Sequence, residues 1–265
     1  MGLKCIQITD IHLFAEKDKK FNGITTHLSF QNVLKDVAKK HADADLLLFT
    51  GDISEDGSMA SYEAFEELVA PMNIPYYWIE GNHDAPQAMQ QLMKKMRLNP
   101  AKVFLVKGVL FILLDSAVAE ESYGALNSQE QQKLIDTLKK HPNTPTIIAI
   151  HHHLMPTGTE WVDKSDLQNK DEFFKIIDAY KNIKTVICGH IHFEQQHTRK
   201  KVLYYSTPAT SFQIKLGEDI QEFQLDENAQ PGYRVLEMDS KGKLHTYTVR
   251  IEHPEKPQKD DYYEA

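Results

Sequence analysis

Five side chains that bind divalent metals stand just past five short apolar runs: Asp10 after residues 3–9, Asp52 after 46–50, Asn82 after 76–80, His151 after 146–150 and His190 after 185–188. Two more follow at one spacing, His12 two residues beyond Asp10 and His192 two residues beyond His190. Carboxylate and amide oxygens with imidazole nitrogens, and no thiolate, suit manganese, iron or zinc. A carboxylate in such a set has two oxygens and can hold two cations about 3.5 to 4 Å apart, the separation used by two-metal hydrolases. The chain has 13 histidines, so any one alone carries little weight. Five run ends that each acquire a coordinating side chain, two of them with a second at the same spacing, are not an accident of composition. His27, His41, His141, His197, His245 and His253 have no such place and read as surface or ordinary polar residues.

The runs have the length of buried strands. Helical patterns at 28–40, 59–70, 86–96, 128–140 and 170–181 lie between them. Strand and helix therefore alternate, which predicts an α/β fold. In such sheets the carboxyl ends of neighbouring strands line up along one edge, where ligands bind. Residues 103–106 and 109–114, joined at Lys107 and Gly108, read as a hairpin, as do 233–238 and 244–251 around 239–243. Part of the sheet must then be antiparallel.

Taken in order, Asp10-x-His12, Gly51-Asp52, Gly81-Asn82-His83-Asp84, His151 and Gly189-His190-x-His192 resemble the motifs of the calcineurin-like metallophosphoesterases. A narrower resemblance, to bacterial class III cyclic-nucleotide phosphodiesterases of the CpdA type, rests on four further stretches. These are Gly51-Asp52-Ile53-Ser54-Glu55-Asp56, His151-His152-His153, Gly158-x-x-Trp161-x-Asp163 and Ser206-Thr207-Pro208. One departure is visible: such enzymes usually have proline directly after the triple histidine, whereas this chain has Leu154 and reaches proline at Pro156.

The resemblance implies a four-layer α-β-β-α sandwich with mixed sheets over residues 1–252, followed by a tail at 253–265. It implies that Asp10, His12 and His192 hold one divalent ion and Asn82, His151 and His190 a second, with Asp52 bridging. Iron or manganese is expected ahead of zinc. It further implies substrate contacts from His12, Asp52, Asn82, His83 and His192, a metal-bound hydroxide as nucleophile and His83 as general acid. The expected substrate is a cyclic nucleotide, 3′,5′-cyclic AMP first, opened to 5′-AMP. His152 and His153 either orient His151 or touch the substrate, and Trp161 either stacks on a base or packs within its loop.

Composition sets bounds on this reading. Hydrophobic residues at 41% and charged residues at 26% are those of a globular chain with a core. A net charge of −8 gives no positive field for a nucleic-acid backbone, so a phosphate must be attracted locally. Two divalent ions against Asp10 and Asp52 leave a local charge of about +2. No apolar run approaches the roughly 20 residues that span a bilayer. No leader is apparent after Met1, so a cytoplasmic monomer or homodimer without membrane or nucleic-acid partners is expected. Cys5 and Cys188 lie in apolar runs and read as buried thiols. Residues 216–230 and 253–265 read as a solvated loop and a frayed tail, or else as a substrate mouth or subunit contact. Two rivals are a phosphoesterase for another small diester or monoester, and a non-catalytic scaffold. Scaffolds shed ligands, and here all seven and His83 are present.

Overall fold

The computed structural model describes residues 2–95 and 100–259. Chain order is β1 (Leu3–Ile8), a small hairpin of β2 (Lys20–Phe21) and β3 (Ile24–Thr25), α1 (Thr26–Lys40), β4 (Leu46–Thr50), α2 (Met59–Val69), β5 (Tyr76–Ile79) and α3 (Pro86–Lys95). Then come β6 (Val103–Val106), β7 (Val109–Leu114), α4 (Ser128–Lys140), β8 (Thr146–Ile150), the short α5 (Glu160–Asp163), α6 (Lys170–Ile177) and β9 (Ile183–Cys188). Two hairpins close it, β10 (Gln195–Arg199) with β11 (Val202–Ser206) and β12 (Gly232–Met238) with β13 (Leu244–Arg250).

The strands form two principal sheets, β13-β12-β1-β4-β5 and β10-β11-β9-β8-β7-β6. β1, β4 and β5 run parallel in the first, and β7, β8, β9 and β11 run parallel in the second. All five predicted site-bearing strands therefore end at one edge of their sheet.

Side-chain alternation assigns the layers, because successive residues of a strand face opposite sides. In β1, Leu3 and Cys5 join the core between the sheets with Leu46, Leu48, Phe111, Leu113, Ile147 and Ala149. Ile6 and Ile8 face the other way, into a core shared with Phe30 and Val33 of α1 and Phe65 of α2. The second sheet repeats this, its outer face packing Ile112, Ile148 and Ile150 against Leu134 of α4 and Phe173 of α6. The result is the expected helix-sheet-sheet-helix order. Local chemistry starts the helices: Ser58 caps α2 by accepting from Ser61 N, and Asn127 caps α4 by accepting from the amides of Gln129 and Glu130.

Four expectations need correction. The helix expected over 170–181 ends at Ile177, because its last turn tightens to Tyr180 N→Ile177 O while Asp178 turns to pair with Arg199 and Lys200. The polar β10, which alternates without an apolar face, was not expected as a strand. His41 and His253 are buried, at 6% and 7% exposure. Residues 253–259 are not frayed: Glu255 accepts from Thr25 N and pairs with Lys20, and Gln258 N donates to Asn22 O. The remaining tail, 260–265, and Met96 of the expected third helix lie outside the described residues. Cys5 and Cys188 are free and buried, as expected.

Phe111 is fully buried between the sheets and stacks on Phe104, which in turn stacks on Tyr77 of the opposing sheet. Phe111→Ala should lower unfolding free energy by about 3 to 5 kcal/mol. Urea unfolding checks this as an earlier midpoint with an unchanged slope.

Candidate metal centre

Where the strands stop, the backbone turns sharply. Asp10, His12, Asp52, His190 and His192 all adopt left-handed conformations, with φ of 53°, 54°, 51°, 70° and 47°. Each such residue costs about 1 to 2 kcal/mol relative to an ordinary conformation. Strain of this kind persists at functional sites when the surroundings fix it. Here the first turn is bound to the second strand end, with Asp10 N, Ile11 N and His12 N donating to Gly51 O, Asp52 O and Asp52 O. Asp10-x-His12 and His190-x-His192 are thus the same left-handed turn used twice, which accounts for their shared spacing. Two glycines allow the approach: a β-carbon on Gly81 would fall on Asp52 Oδ1, and one on Gly189 would lie 2.6 Å from Asp10 Oδ2.

The turns bring the seven predicted side chains together. His12 Nε2 lies 3.0 Å from His192 Nε2, and His192 Nε2 lies 3.5 Å from Asp10 Oδ1. His151 Nε2 lies 3.1 Å from Asn82 Oδ1 and 3.3 Å from Asp52 Oδ2. The same Asp52 oxygen is 3.7 Å from His12 Nε2, so it stands between the two groups. His190 shares the second group with Asp52 and His151.

Every imidazole of the set is held by its other nitrogen. His12 Nδ1 meets Glu55 Oε2 at 2.7 Å, His192 Nδ1 meets Phe212 O at 3.0 Å and His151 Nδ1 meets Thr50 O at 2.7 Å. His190 uses Nε2, on Ser165 Oγ at 2.9 Å. Outward N–H donation of this kind fixes the tautomer and leaves a lone pair facing inward, the arrangement of metal-bound histidines. Two inward lone pairs 3.0 Å apart on His12 and His192 repel unless a proton or a cation lies between them. These residues therefore fit divalent metal ions.

Residues 3–194 match the family described as calcineurin-like phosphoesterase. The chain belongs to this family. It is 36% identical to a 3′,5′-cyclic adenosine monophosphate phosphodiesterase, CpdA, of Haemophilus influenzae, covering 96% of this chain and 92% of that one. It is 38% identical to a 3′,5′-cyclic-nucleotide phosphodiesterase of Nostoc sp., covering 95% and 92%. The fold is that of a dimetal phosphatase from Danio rerio (TM-score 0.61, 13% identity, 94% of this chain and 99% of that one). A purple acid phosphatase from yellow lupin shares it too (TM-score 0.65, 14% identity, 94% and 54%).

In this phosphoesterase the site's charges are set by burial and neighbours. Burial raises the Asp52 carboxyl, but His151 and His83 outweigh it and hold the group well below the usual range. Burial likewise opposes charge on His83, yet Asp52 and Glu55 hold that imidazole up to about 10. Glu55 joins two of the histidines, meeting His83 Nδ1 at 2.9 Å as well as His12, and is held down to about 2 against its burial.

A cavity of about 210 Å³ opens over the centre, and His12, Asp52, Asn82, His83 and His192, the expected substrate contacts, all line it. His152 and His153 do not. His152 is buried against Ser116 Oγ at 2.8 Å, and His153 lies 3.6 Å from Asp163, both behind His190. Loop residue Phe223 does line the cavity, so 216–230 is more than a solvated loop. Sequence reasoning gave no role to Glu55, Asp84 or Ser165. The first two lie inside quoted motifs, a signal that was present; Ser165 had none.

Asp84 is the keystone of two of these turns, accepting from the amides of Ile53, Ser54 and Gly81 and from Tyr62 Oη. Bonds to a charged acceptor contribute about 1.5 to 3 kcal/mol each, and buried donors left unpaired cost more. Asp84→Ala should destabilise the protein by at least about 3 kcal/mol, measured by thermal or urea unfolding.

Proposed function

We propose that this chain hydrolyses 3′,5′-cyclic AMP to 5′-AMP with two divalent metal ions, iron or manganese, and that zinc can serve in their place. The observation that carries the reading is the convergence of seven donor side chains, each imidazole tethered outward and presenting its second nitrogen. Asp10, His12 and His192 would hold one ion, Asn82, His151 and His190 the other, and Asp52 both. The cyclic-nucleotide substrate is supported by relatives that carry that activity in their names and align over nine-tenths of both chains. No helix among the described residues is long and apolar enough to cross a membrane. Two free cysteines suit the reducing cytoplasm.

When bound, the ions acidify the attacking water and neutralise the phosphoryl oxygens as charge builds there. The chain's own residues do the rest. Asp52 fixes the spacing of the two halves, and its Oδ1 accepts from His83 N at 3.0 Å, so the general acid is anchored to the bridge. Glu55 holds His83 Nδ1, which leaves Nε2 toward the cavity. Opening the cyclic diester expels the 3′ alkoxide, a strongly basic leaving group, and His83 Nε2 gives it a proton as the P–O bond breaks.

Two outcomes test these assignments. Asp52→Ala should lose both equivalents of metal, whereas His12→Ala or His192→Ala should keep about one, as read by elemental analysis of purified protein. His83→Ala should lose about 10²- to 10⁴-fold on cyclic AMP, the usual worth of a general acid. On an aryl phosphodiester, whose phenolate leaves without help, the loss should be far smaller, with metal content unchanged. An equal loss on both substrates would remove His83 from the role of acid.

A further inference from the structure

The cavity over the centre is lined by two unlike groups of side chains. One is made of imidazoles and Asp52; the other is a wall of Trp161, Val162, Phe212, Ile214 and Phe223. Phe212 and Ile214 are buried and belong to an apolar cluster with Phe14, Phe21 and Ile24, on which Trp161 and Phe223 sit half-buried. The Trp161 and Phe223 rings meet at 68° with centroids 6.1 Å apart, forming a corner of two aromatic surfaces. A flat ligand stacked on one ring abuts the other.

What this wall lacks is as informative as what it has. Among the described lining residues none is a lysine, arginine or glutamine, and the one asparagine, Asn82, belongs to the set proposed to hold metal. The Trp161 indole N–H has no partner among the described residues but is buried, with no accessible surface to offer a ligand. The Ser165 hydroxyl already serves His190 Nε2 and Val162 O. Ser122 remains, and a hydroxyl both donates and accepts, so it does not tell an amino group from a carbonyl.

Resting on the reading of the substrate as a cyclic nucleotide, we propose that this wall is a base subsite. It takes a purine by its face on Trp161 and Phe223 and does not read its hydrogen-bonding edge. Adenine and guanine differ only at that edge, so cyclic AMP and cyclic GMP are accepted alike. Stacking on aromatic rings is tolerant of base identity because every base has a π-face.

The test measures kcat/KM of the manganese-loaded protein on cyclic AMP, cyclic GMP and ribose 3′,5′-cyclic phosphate, which has no base. Trp161→Leu and Phe223→Leu keep apolar bulk and remove the flat ring; Trp161→Phe restores one. The two purine substrates are expected within tenfold of each other. In each leucine variant the ratio of cyclic AMP to base-free kcat/KM should fall at least tenfold, with recovery in Trp161→Phe. A wider gap between the purines, or a smaller fall in that ratio, overturns the subsite. A binding readout stands beside the kinetics, since the chain has two tryptophans and Trp78 is buried in the core. Cyclic AMP and cyclic GMP should quench the fluorescence of metal-free protein, the base-free diester should not, and Trp161→Phe should abolish the effect. Turnover of the base-free diester with neither nucleotide processed would instead overturn the substrate reading, and the subsite with it.

Discussion

Asp10 and Asp52 have 0% and 2% of their surface exposed, and among the described residues neither has a lysine or arginine against it. A buried carboxylate without a partner is costly by several kcal/mol, so the surroundings must supply positive potential. Backbone amides provide part of it, from His190 to both oxygens of Asp10 and from His83 to Asp52. Imidazoles provide more, and the same negative field holds His151 up to about 9. Protons and divalent cations compete for such a field, and binding a metal displaces protons from its ligands.

The sandwich brings those two carboxylates together from different strand ends at the floor of the cavity. Register alone would align the ends within each sheet, but polar bonds cross between sheets just beneath the site. Gln7 donates to Thr50 Oγ1 and to Cys188 O, joining the end of β1 to that of β9. Thr207 Oγ1 donates to Gln7 Oε1 and accepts from Arg234, which is itself 2% exposed and also donates to Ser206 O. Above this layer the chain accepts five left-handed residues, which a looser frame would let relax.

The skeleton was legible because each of the five site-bearing strands is a short apolar run that stops at a donor, a pattern that survives without any tertiary information. The predicted bounds of β4 and β8 coincide with the observed ones for that reason, and those of β7 and α4 because an unbroken apolar run and a helical period are equally local. What escaped is decided by partners distant in sequence. β10 is Gln195-Gln196-His197-Thr198-Arg199, polar throughout, and becomes a strand only because β11 lies beside it. Glu55 and Ser165 act through histidines 43 and 25 residues away in sequence, a relation that only the folded chain displays. The docking of 253–259 on the β2–β3 hairpin is equally non-local, made by single bonds to Asn22, Thr25 and Lys20 rather than by a repeating pattern.

One pairing bears on how the molecule is made. β1 has β4 on one side, with Cys5 opposite Leu46, and on the other β12, with Leu3 opposite Met238. At synthesis rates of about 5 to 20 residues per second, that partner follows on the order of 10 to 50 s later. Throughout that interval the nascent chain carries a strand with one open edge, a template for pairing with other chains. The first site turn can meanwhile rest on Gly51 and Asp52, but its bonds from His190 and Ser211 must wait for the second sheet. How long this edge stays open is thus set by the separation of β1 and β12 along the chain rather than by the speed of local folding.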